Sequence, residues 1–335
     1  MDALRSIGLC CGLLLQHAVL AQNALQPGLS LPLRCTPGSD CWISNHVDLE
    51  PGPGVRDYAC GGFSYDGHNG TDFALRDLKA MAEGVQVLAA AAGRVLRSRN
   101  GEPDRSVRER SPEAVKGREC GNGVLIEHPG GLQTQYCHLR RGSVTVRAGD
   151  AVAGGDPIGL VGLSGQTEYA HLHWTIRHRG RVVDPFRGAG EAPGCGAGEA
   201  PLWSSEALAA LPYSPRAIFN FGAAPVPPTA HAVRRGEHRA RAIAAEAPVY
   251  AVWMEAFCVK AGDALEITGD APDGTRLLSD RKAIDRDQAR IFRFVARKRG
   301  ASPWPPGSYA NRIRLTPPEG AARGAAIAEF AVEVR

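Results

Sequence analysis

His171 and His173 lie one residue apart in the run YAHLHWTIR, whose aromatic and β-branched residues favour a strand. Side chains at positions i and i+2 of a strand point to the same face, so both imidazoles should project together, with Leu172 buried behind them. Two imidazoles and one further nitrogen or carboxylate donor can hold zinc and leave the fourth tetrahedral position to water. The pair therefore predicts a metal site if the chain supplies more ligands.

Three further candidate groups lie upstream of this pair. The segment YDGHNGTDFAL places His68 and Asp72 in the pattern H-x-G-x-D, and TQYCHL ends on His138. Taken singly, each has an ordinary structural interpretation, as a loop histidine, a turn aspartate or a strand-end residue. Five groups in order within one region favour a shared site instead. Five are too many for an open zinc site, so some should do chemistry rather than bind metal.

The elements that must position these groups are strands. From residue 61 to 187, short apolar runs alternate with glycine turns, which predicts antiparallel β structure, a sheet closing toward a barrel or sandwich. Residues 124–128 and 132–138 flank Pro129-Gly130-Gly131, which predicts a β-hairpin. Residues 98–119 carry charges of both signs and little apolar surface, so we expect an exposed insertion loop there.

The remaining chain falls into four predicted segments. Residues 1–21 have the layout of a secretory signal peptide, and residues 22–60 are turn-rich and should form an irregular N-terminal arm. Residues 188–231 are expected to form a linker with one short helix, in SSEALAAL, capped by serine. Alternation returns over residues 232–335, which predicts an immunoglobulin-like β-sandwich. The fold class is therefore mostly β, and the mature chain should be exported.

Cysteine content and charge limit the compartment and the partners. Nine cysteines are present, two within the predicted signal peptide, so an oxidising compartment would pair most of the others and leave one over. The pairing stays open, but Cys137 is expected in a disulfide or the core rather than as a nucleophile, because it and His138 face opposite ways on a strand. The net charge of +4 is mild. We expect no nucleic-acid partner and no integral membrane segment.

The ordered motifs resemble those of the lysostaphin-type, LytM-like zinc endopeptidases. The resemblance rests on H-x-G-x-D, then Y-C-H-L, then SGQT before the H-L-H-W strand, with GVQVLAAAAGRV, VRAGDAVAGGDPIGLVG and VVDP as the frame, and it covers about residues 61–187. It implies the duplicated hybrid motif fold and one Zn²⁺ per chain held by His68, Asp72 and His173. His138 and His171 would be the catalytic pair, with the division of their roles left open.

This chain also departs from the family pattern at three places. Ala170 stands where a proline often precedes the H-x-H pair, the offset of Tyr65 does not match the family's tyrosine, and the insertion at 98–119 has no counterpart.

The resemblance implies a zinc endopeptidase that cleaves peptide bonds in the stems or cross-links of peptidoglycan. A signal peptide and disulfide-capable cysteines then predict a periplasmic or secreted protein of a Gram-negative bacterium. Two other interpretations stay open. The domain could be a non-catalytic regulator that activates another wall hydrolase, or the protein could bind the cell wall or a protein partner through its C-terminal sandwich.

Overall fold

The computed structural model describes residues 28–190, 194–238, 241–320 and 324–335. The predicted signal peptide lies outside the described residues. The described chain is mostly antiparallel β, as the sequence pattern predicted, with three short α-helices among the described residues. None of the helices described is long and apolar enough to cross a membrane.

The N-terminal half is built around one large antiparallel sheet. Helix α1 (Leu78–Glu83) is the one α-helix described in this half. The strands are β1 (Cys41–Asn45), β2 (Thr71–Leu75), β3 (Gln86–Leu88), β4 (Gly93–Arg99), β5 (Asn122–His128), β6 (Leu132–Leu139), β7 (Ala151–Val152), β8 (Pro157–Leu160), β9 (His171–His178) and β10 (Arg181–Val182). The large sheet has the order β1-β2-β9-β6-β5-β4-β7 with β10 beside β9, and β3 pairs with β8 separately. The predicted hairpin is confirmed as β5 and β6 around a turn at Pro129–Gly131.

Strand β9 lies in the middle of this sheet and separates two kinds of side chain. Leu172, Trp174 and Ile176 are almost fully buried in the main core. His171 and His173 alternate with them and so point to the opposite face. Burial of the apolar face fixes the strand register, since a slip of one residue would turn the histidines into the core.

The N-terminal arm is more regular than predicted. Strand β1 pairs antiparallel with β2 at the edge of the sheet, and Leu29 and Leu33 are buried in its core. Disulfides Cys35–Cys41 and Cys60–Cys195 tie the arm to itself and to a distant segment. The expectation of an irregular arm was therefore wrong over β1, because its partner strand lies far along the chain and leaves no local signal.

The segment at 98–119 is not the wholly exposed loop that its charges predicted. It contains two 3-10 turns, Val107–Glu109 and Pro112–Ala114, and Glu102, Ser106 and Val115 are buried. Asn122 holds the backbone of Glu102 by two hydrogen bonds of 2.8 Å. Arg118 pairs with the Glu102 carboxylate at 2.9 Å, so opposite charges compensate each other within the segment.

The C-terminal half contains two sheets that share a core. Its elements are α2 (Ser205–Ala210), β11 (Ala217–Ala224), α3 (Ala230–Arg234), β12 (Ala242–Ile243), β13 (Val249–Val259), β14 (Ala264–Asp270), β15 (Arg276–Ala283), β16 (Gln288–Lys298), β17 (Gly307–Thr316) and β18 (Ala326–Val334). One sheet has the order β11-β13-β16 and the other β12-β18-β17-β14-β15. Apolar side chains of both pack into one cluster, which gives the predicted sandwich. The serine-capped helix is confirmed as α2, whose N-cap is Ser204.

The segment predicted as a linker, 188–231, contributes a strand to this sandwich. Strand β11 pairs with β13 along its length. Its sequence, AIFNFGAA, lies between two runs rich in proline and glycine. The composition of these runs predicted a linker instead of a strand. We therefore propose that the C-terminal unit begins near residue 217.

A further apolar cluster joins the two halves. Phe219 and Phe257 of the sandwich stack with ring centroids 3.9 Å apart, and Trp42 packs on Phe219 at 5.9 Å. Phe63, five residues before His68, belongs to the same cluster. The C-terminal unit therefore supports the loop that carries the first candidate ligand.

Candidate metal centre

The pairing of β2 with β9 brings together two of the predicted ligands. Asp72 lies directly opposite His173, and Ala74 opposite His171, in the antiparallel register. Directly opposed residues of an antiparallel pair have their Cβ atoms only about 5 Å apart, so their side chains meet on the same face. His68 lies in the loop that leads into β2 and reaches the same point.

The three predicted ligands, His68, Asp72 and His173, form a compact set of donor atoms. His68 Nε2 lies 3.2 Å from Asp72 Oδ1 and 3.2 Å from His173 Nδ1. His173 Nδ1 lies 2.8 Å from Asp72 Oδ1. Donors bonded to a tetrahedral zinc ion at about 2.0–2.1 Å would be roughly 3.3 Å apart. The spacing and chemistry of this set therefore fit zinc.

The outer nitrogen of each imidazole in this set has its own partner. His68 Nδ1 donates to the backbone carbonyl of His46 at 2.6 Å. His173 Nε2 lies 3.0 Å from Asn69 Oδ1 and 3.0 Å from the Thr175 hydroxyl. A histidine that donates from one nitrogen presents a lone pair on the other, which is how outer partners orient metal-ligating histidines. When both histidines are neutral, the nitrogens that face Asp72 therefore carry lone pairs that a cation can accept.

The carboxylate of Asp72 is held in the same manner. Asn45 Nδ2 donates to Asp72 Oδ2 at 2.9 Å, which leaves Oδ1 facing the histidines. Burial alone would raise the pKa of Asp72, but His68 and His171 outweigh it and hold the pKa well below the ordinary value. The Asp72 carboxylate is thus already ionised before it binds a cation.

The remaining two predicted residues, His138 and His171, lie beside this set. Their ring centroids are 4.8 Å apart, and His171 Nε2 is 3.5 Å from Asp72 Oδ1. His138 Nδ1 donates to the carbonyl of Ser164 at 2.8 Å, and His171 Nδ1 lies 3.0 Å from the carbonyl of Tyr169. Each therefore has its Nε2 available for proton transfer. The structure brings all five predicted residues together; their individual roles are proposals.

His138 is held in an unusual backbone conformation. Its φ is 63°, a left-handed value that costs a non-glycine residue energy unless the surroundings impose it. Its N–H donates to the carbonyl of Cys120 at 2.8 Å, and the disulfide Cys120–Cys137 closes the link to the preceding residue. Cys137 is thus a disulfide residue, as predicted, and it helps to fix the orientation of His138.

The pKa of His138 is set by the same surroundings. Burial, together with His171 and His173, holds its pKa well below 6.5. A neutral imidazole can accept a proton, which suits a general base.

Sequence reasoning missed several residues that support the centre. Asn45 belongs to an arm predicted as irregular, and its contact with Asp72 spans 27 positions. Asn69 lies within the H-x-G-x-D motif, which was the one available signal for it. Tyr65, left without a role, is half-exposed, with its ring 4.5 Å from that of His68. The Tyr169 ring lies beside that of His171, with ring centroids 4.7 Å apart.

Asp57 organises the loop that presents His68. It is buried and accepts backbone N–H groups of Ala59, Gly61 and Phe63 at 2.8–2.9 Å, and the Tyr213 hydroxyl at 2.5 Å. Burial opposes ionisation, but the hydrogen bonds from Tyr213 and from the backbone outweigh it and lower the pKa of Asp57. The charged carboxylate therefore stabilises this loop.

We expect Asp57→Asn to lower the free energy of unfolding at pH 7 by roughly 2–4 kcal/mol, since hydrogen bonds to a charged group contribute about 1.5–3 kcal/mol each and part is regained by the amide. A carboxyl with a lowered folded pKa stabilises above its unfolded pKa and loses this effect as the pH falls through the folded value. The difference between variant and wild type should thus shrink below about pH 4. Urea unfolding at pH 7 and pH 3 measures both; a difference that grows in acid would contradict the assignment.

Comparisons with known proteins match part of the chain. The model of peptidase family M23 matches residues 66–185. Peptidoglycan DD-endopeptidase ShyA of Vibrio cholerae is 34% identical over 120 residues, which are 36% of this chain and 22% of that protein. DD-carboxypeptidase/endopeptidase Mpg of Neisseria meningitidis is 42% identical over 72 residues, 21% of this chain and 16% of that one. The chain thus spans about a fifth of the length of these curated relatives.

A similarity to solved structures also covers part of the chain. The catalytic domain of lysostaphin from Staphylococcus simulans aligns with 42% of this chain and 85% of its own, at 21% identity and a TM-score of 0.28.

Proposed function

We propose that this protein is a zinc-dependent endopeptidase that hydrolyses peptide bonds in peptidoglycan stems or cross-links, because residues 66–185 match the model of peptidase family M23. The observation that carries the proposal is the convergence of His68, Asp72 and His173 on one point, with His138 and His171 beside it. The names of ShyA and Mpg support the substrate class.

In this proposal His68 Nε2, Asp72 Oδ1 and His173 Nδ1 hold one zinc ion. When bound, zinc acidifies an attacking water and polarises the scissile carbonyl. His138 accepts the proton of the attacking water at Nε2, because its Nδ1 is committed to a backbone carbonyl. His171, whose Nε2 lies 3.5 Å from Asp72 Oδ1, donates a proton to the leaving amine.

We also propose that the protein acts outside the cytoplasm, in the periplasm or beyond it. Three disulfides connect Cys35 to Cys41, Cys60 to Cys195 and Cys120 to Cys137, with Cys258 unpaired among the described residues. Such a content is typical of oxidising compartments. ShyA and Mpg come from Gram-negative bacteria, which favours the periplasm for this chain too.

The direct test is digestion of purified sacculi by the purified protein, with released fragments analysed by mass spectrometry. We expect new amino termini within the peptides, about one zinc per chain, and loss of release in a chelator with recovery on adding zinc. Glycan-strand cleavage, or release that is unchanged in chelator, would contradict the proposal. A protein that binds zinc but releases nothing alone, and raises the activity of another hydrolase, would be the regulator instead.

A further inference from the structure

A groove of about 880 Å³ runs between the two halves of the protein, beside the candidate metal centre. Asn45 and Tyr169 lie in its wall on the N-terminal side. Asn45 is the residue that donates to Asp72, and the Tyr169 ring lies 4.7 Å from that of His171. The wall of the groove therefore adjoins the centre at these two residues.

The charge of the groove is predominantly basic. Five arginines and three acidic residues line it, and the arginines come from both halves of the protein. They are Arg76, Arg108, Arg234, Arg235 and Arg290, against Asp77, Glu109 and Glu168. Arg108 is neutralised by Glu168 at 2.7 Å, and Arg235 by Glu237. Arg234 and Arg290 differ from these because both contact the same carboxylate.

Arg234 and Arg290 share a single carboxylate. Glu255 on β13 is fully buried and accepts Arg290 Nε at 3.0 Å and a terminal nitrogen of Arg290 at 2.8 Å. Arg234 donates to it through Nε at 2.8 Å, so its terminal nitrogens are not part of this contact. Two guanidinium groups against one carboxylate leave one positive charge in excess. Burial lowers the pKa of Arg290, although Glu255 opposes this.

The position of Arg290 is fixed before any ligand arrives. Its Cζ lies 4.9 Å from the Phe219 ring centroid and 5.7 Å from that of Tyr169. It projects from strand β16, and Arg234 ends helix α3, so both stand on regular elements. Guanidinium groups held in a fixed plane suit carboxylates, which they bind through two parallel hydrogen bonds.

We propose that Arg234 and Arg290 form a subsite for a carboxylate of the bound peptide, so that the C-terminal unit is part of the substrate groove. The identity of the peptide as a peptidoglycan fragment rests on the proposed function. The subsite itself requires a peptide with a free carboxylate some residues away from the scissile bond, which lies at the candidate metal centre.

The test compares two substrates that differ only in the charge of their carboxyl groups. A cross-linked peptide dimer with free carboxylates and the same dimer with those carboxylates amidated are offered to wild type and to Arg234→Gln. We expect kcat/KM of wild type to be about tenfold or more higher for the free acid, consistent with a charge-assisted hydrogen bond of about 1.5–3 kcal/mol. Arg234→Gln should raise KM about tenfold for the free acid and less than twofold for the amide, with kcat nearly unchanged.

Two further variants keep the test interpretable. Arg276→Gln removes the same charge from β15, where Arg276 pairs with Asp270, and should leave the preference for the free acid intact. Arg234→Lys keeps the charge without the planar fork and should retain part of the preference. Equal losses for both dimers in a folded Arg234→Gln would make Arg234 a structural residue and overturn the subsite.

Binding without turnover separates the two proposals. The same dimers, labelled with a fluorophore, are titrated into chelator-treated wild type and Arg234→Gln, and anisotropy gives Kd. If neither dimer is hydrolysed by zinc-loaded protein but wild type still binds the free acid about tenfold more tightly, the subsite stands and the proposed function fails. If both dimers are hydrolysed and bound equally well by wild type, the function stands and the subsite is wrong.

Discussion

Asp72→Ala should abolish both zinc binding and wall hydrolysis. Its Oδ1 lies within 3.2 Å of the facing nitrogens of His68 and His173, so the variant removes the only negative charge from the proposed ligand set. Two neutral imidazoles alone hold zinc weakly. We expect zinc to fall from about one per chain to near zero after dialysis, and the hydrolysis rate to fall by about 10³-fold or more, since the ion supplies several kcal/mol of transition-state stabilisation. Metal analysis by mass spectrometry and sacculus digestion measure the two effects.

A matched variant controls for charge and for the loop. Asp66→Ala removes a carboxylate from the same loop, but Asp66 is exposed and lies outside the ligand set. We expect this variant to keep its zinc and its activity within about twofold. Because Asp72 also anchors Asn45, the fold of Asp72→Ala is checked by its thermal unfolding. A folded Asp72→Ala that retains one zinc per chain would contradict the ligand assignment.

The part of the site that sequence could reveal is the part governed by local rules. Alternation in YAHLHWTIR gave the face of β9 that carries His171 and His173, because buried Leu172 and Trp174 leave one register only. The turn at Pro129–Gly131 gave the hairpin that ends near His138. Local periodicity and turn residues therefore predict the strands that hold these histidines.

The part that sequence missed depends on contacts between distant segments. Strand β1 pairs with β2, and the loop that holds His68 separates the two strands in the sequence. The residues next to Asn45 therefore do not predict the hydrogen bond from Asn45 to Asp72. The disulfide between Cys60 and Cys195 joins residues that are 135 positions apart in the sequence, and no local spacing predicts it. Strand β11 was not predicted because the strand signal of its own residues is weak, and its pairing with β13, which stabilises it, is not visible in the local sequence.

The same limit applies to the role of the C-terminal unit. An alternating pattern predicted a sandwich, but not which surface of it meets the first half. That surface is defined by Phe219 and Phe257, which close on Trp42 and Phe63 and bring Arg290 over Tyr169. The sandwich is thereby placed to support the candidate centre and to line its groove.

Replacing His138 should separate metal binding from catalysis. His138 lies outside the proposed ligand set and commits Nδ1 to the Ser164 carbonyl, so its loss should leave zinc at about one per chain. A positioned general base contributes about 10²–10⁴-fold to rate, and we expect kcat to fall within that range. The chosen change is His138→Asn, because asparagine tolerates the φ of 63° better than alanine and so keeps the backbone near Cys120.

His178→Asn provides the comparison, since His178 lies at the end of β9 away from the proposed ligands and should change kcat less than twofold. Zinc content, thermal unfolding and sacculus digestion are measured on both variants. If His138→Asn is folded and loses its zinc, His138 is a ligand and the three-ligand assignment is wrong. If it keeps zinc and full activity, the proton passes through another group, with His171 the nearest. Only retained zinc with a large loss of kcat supports a division of labour in which three residues hold the ion and the neighbouring imidazoles move the protons.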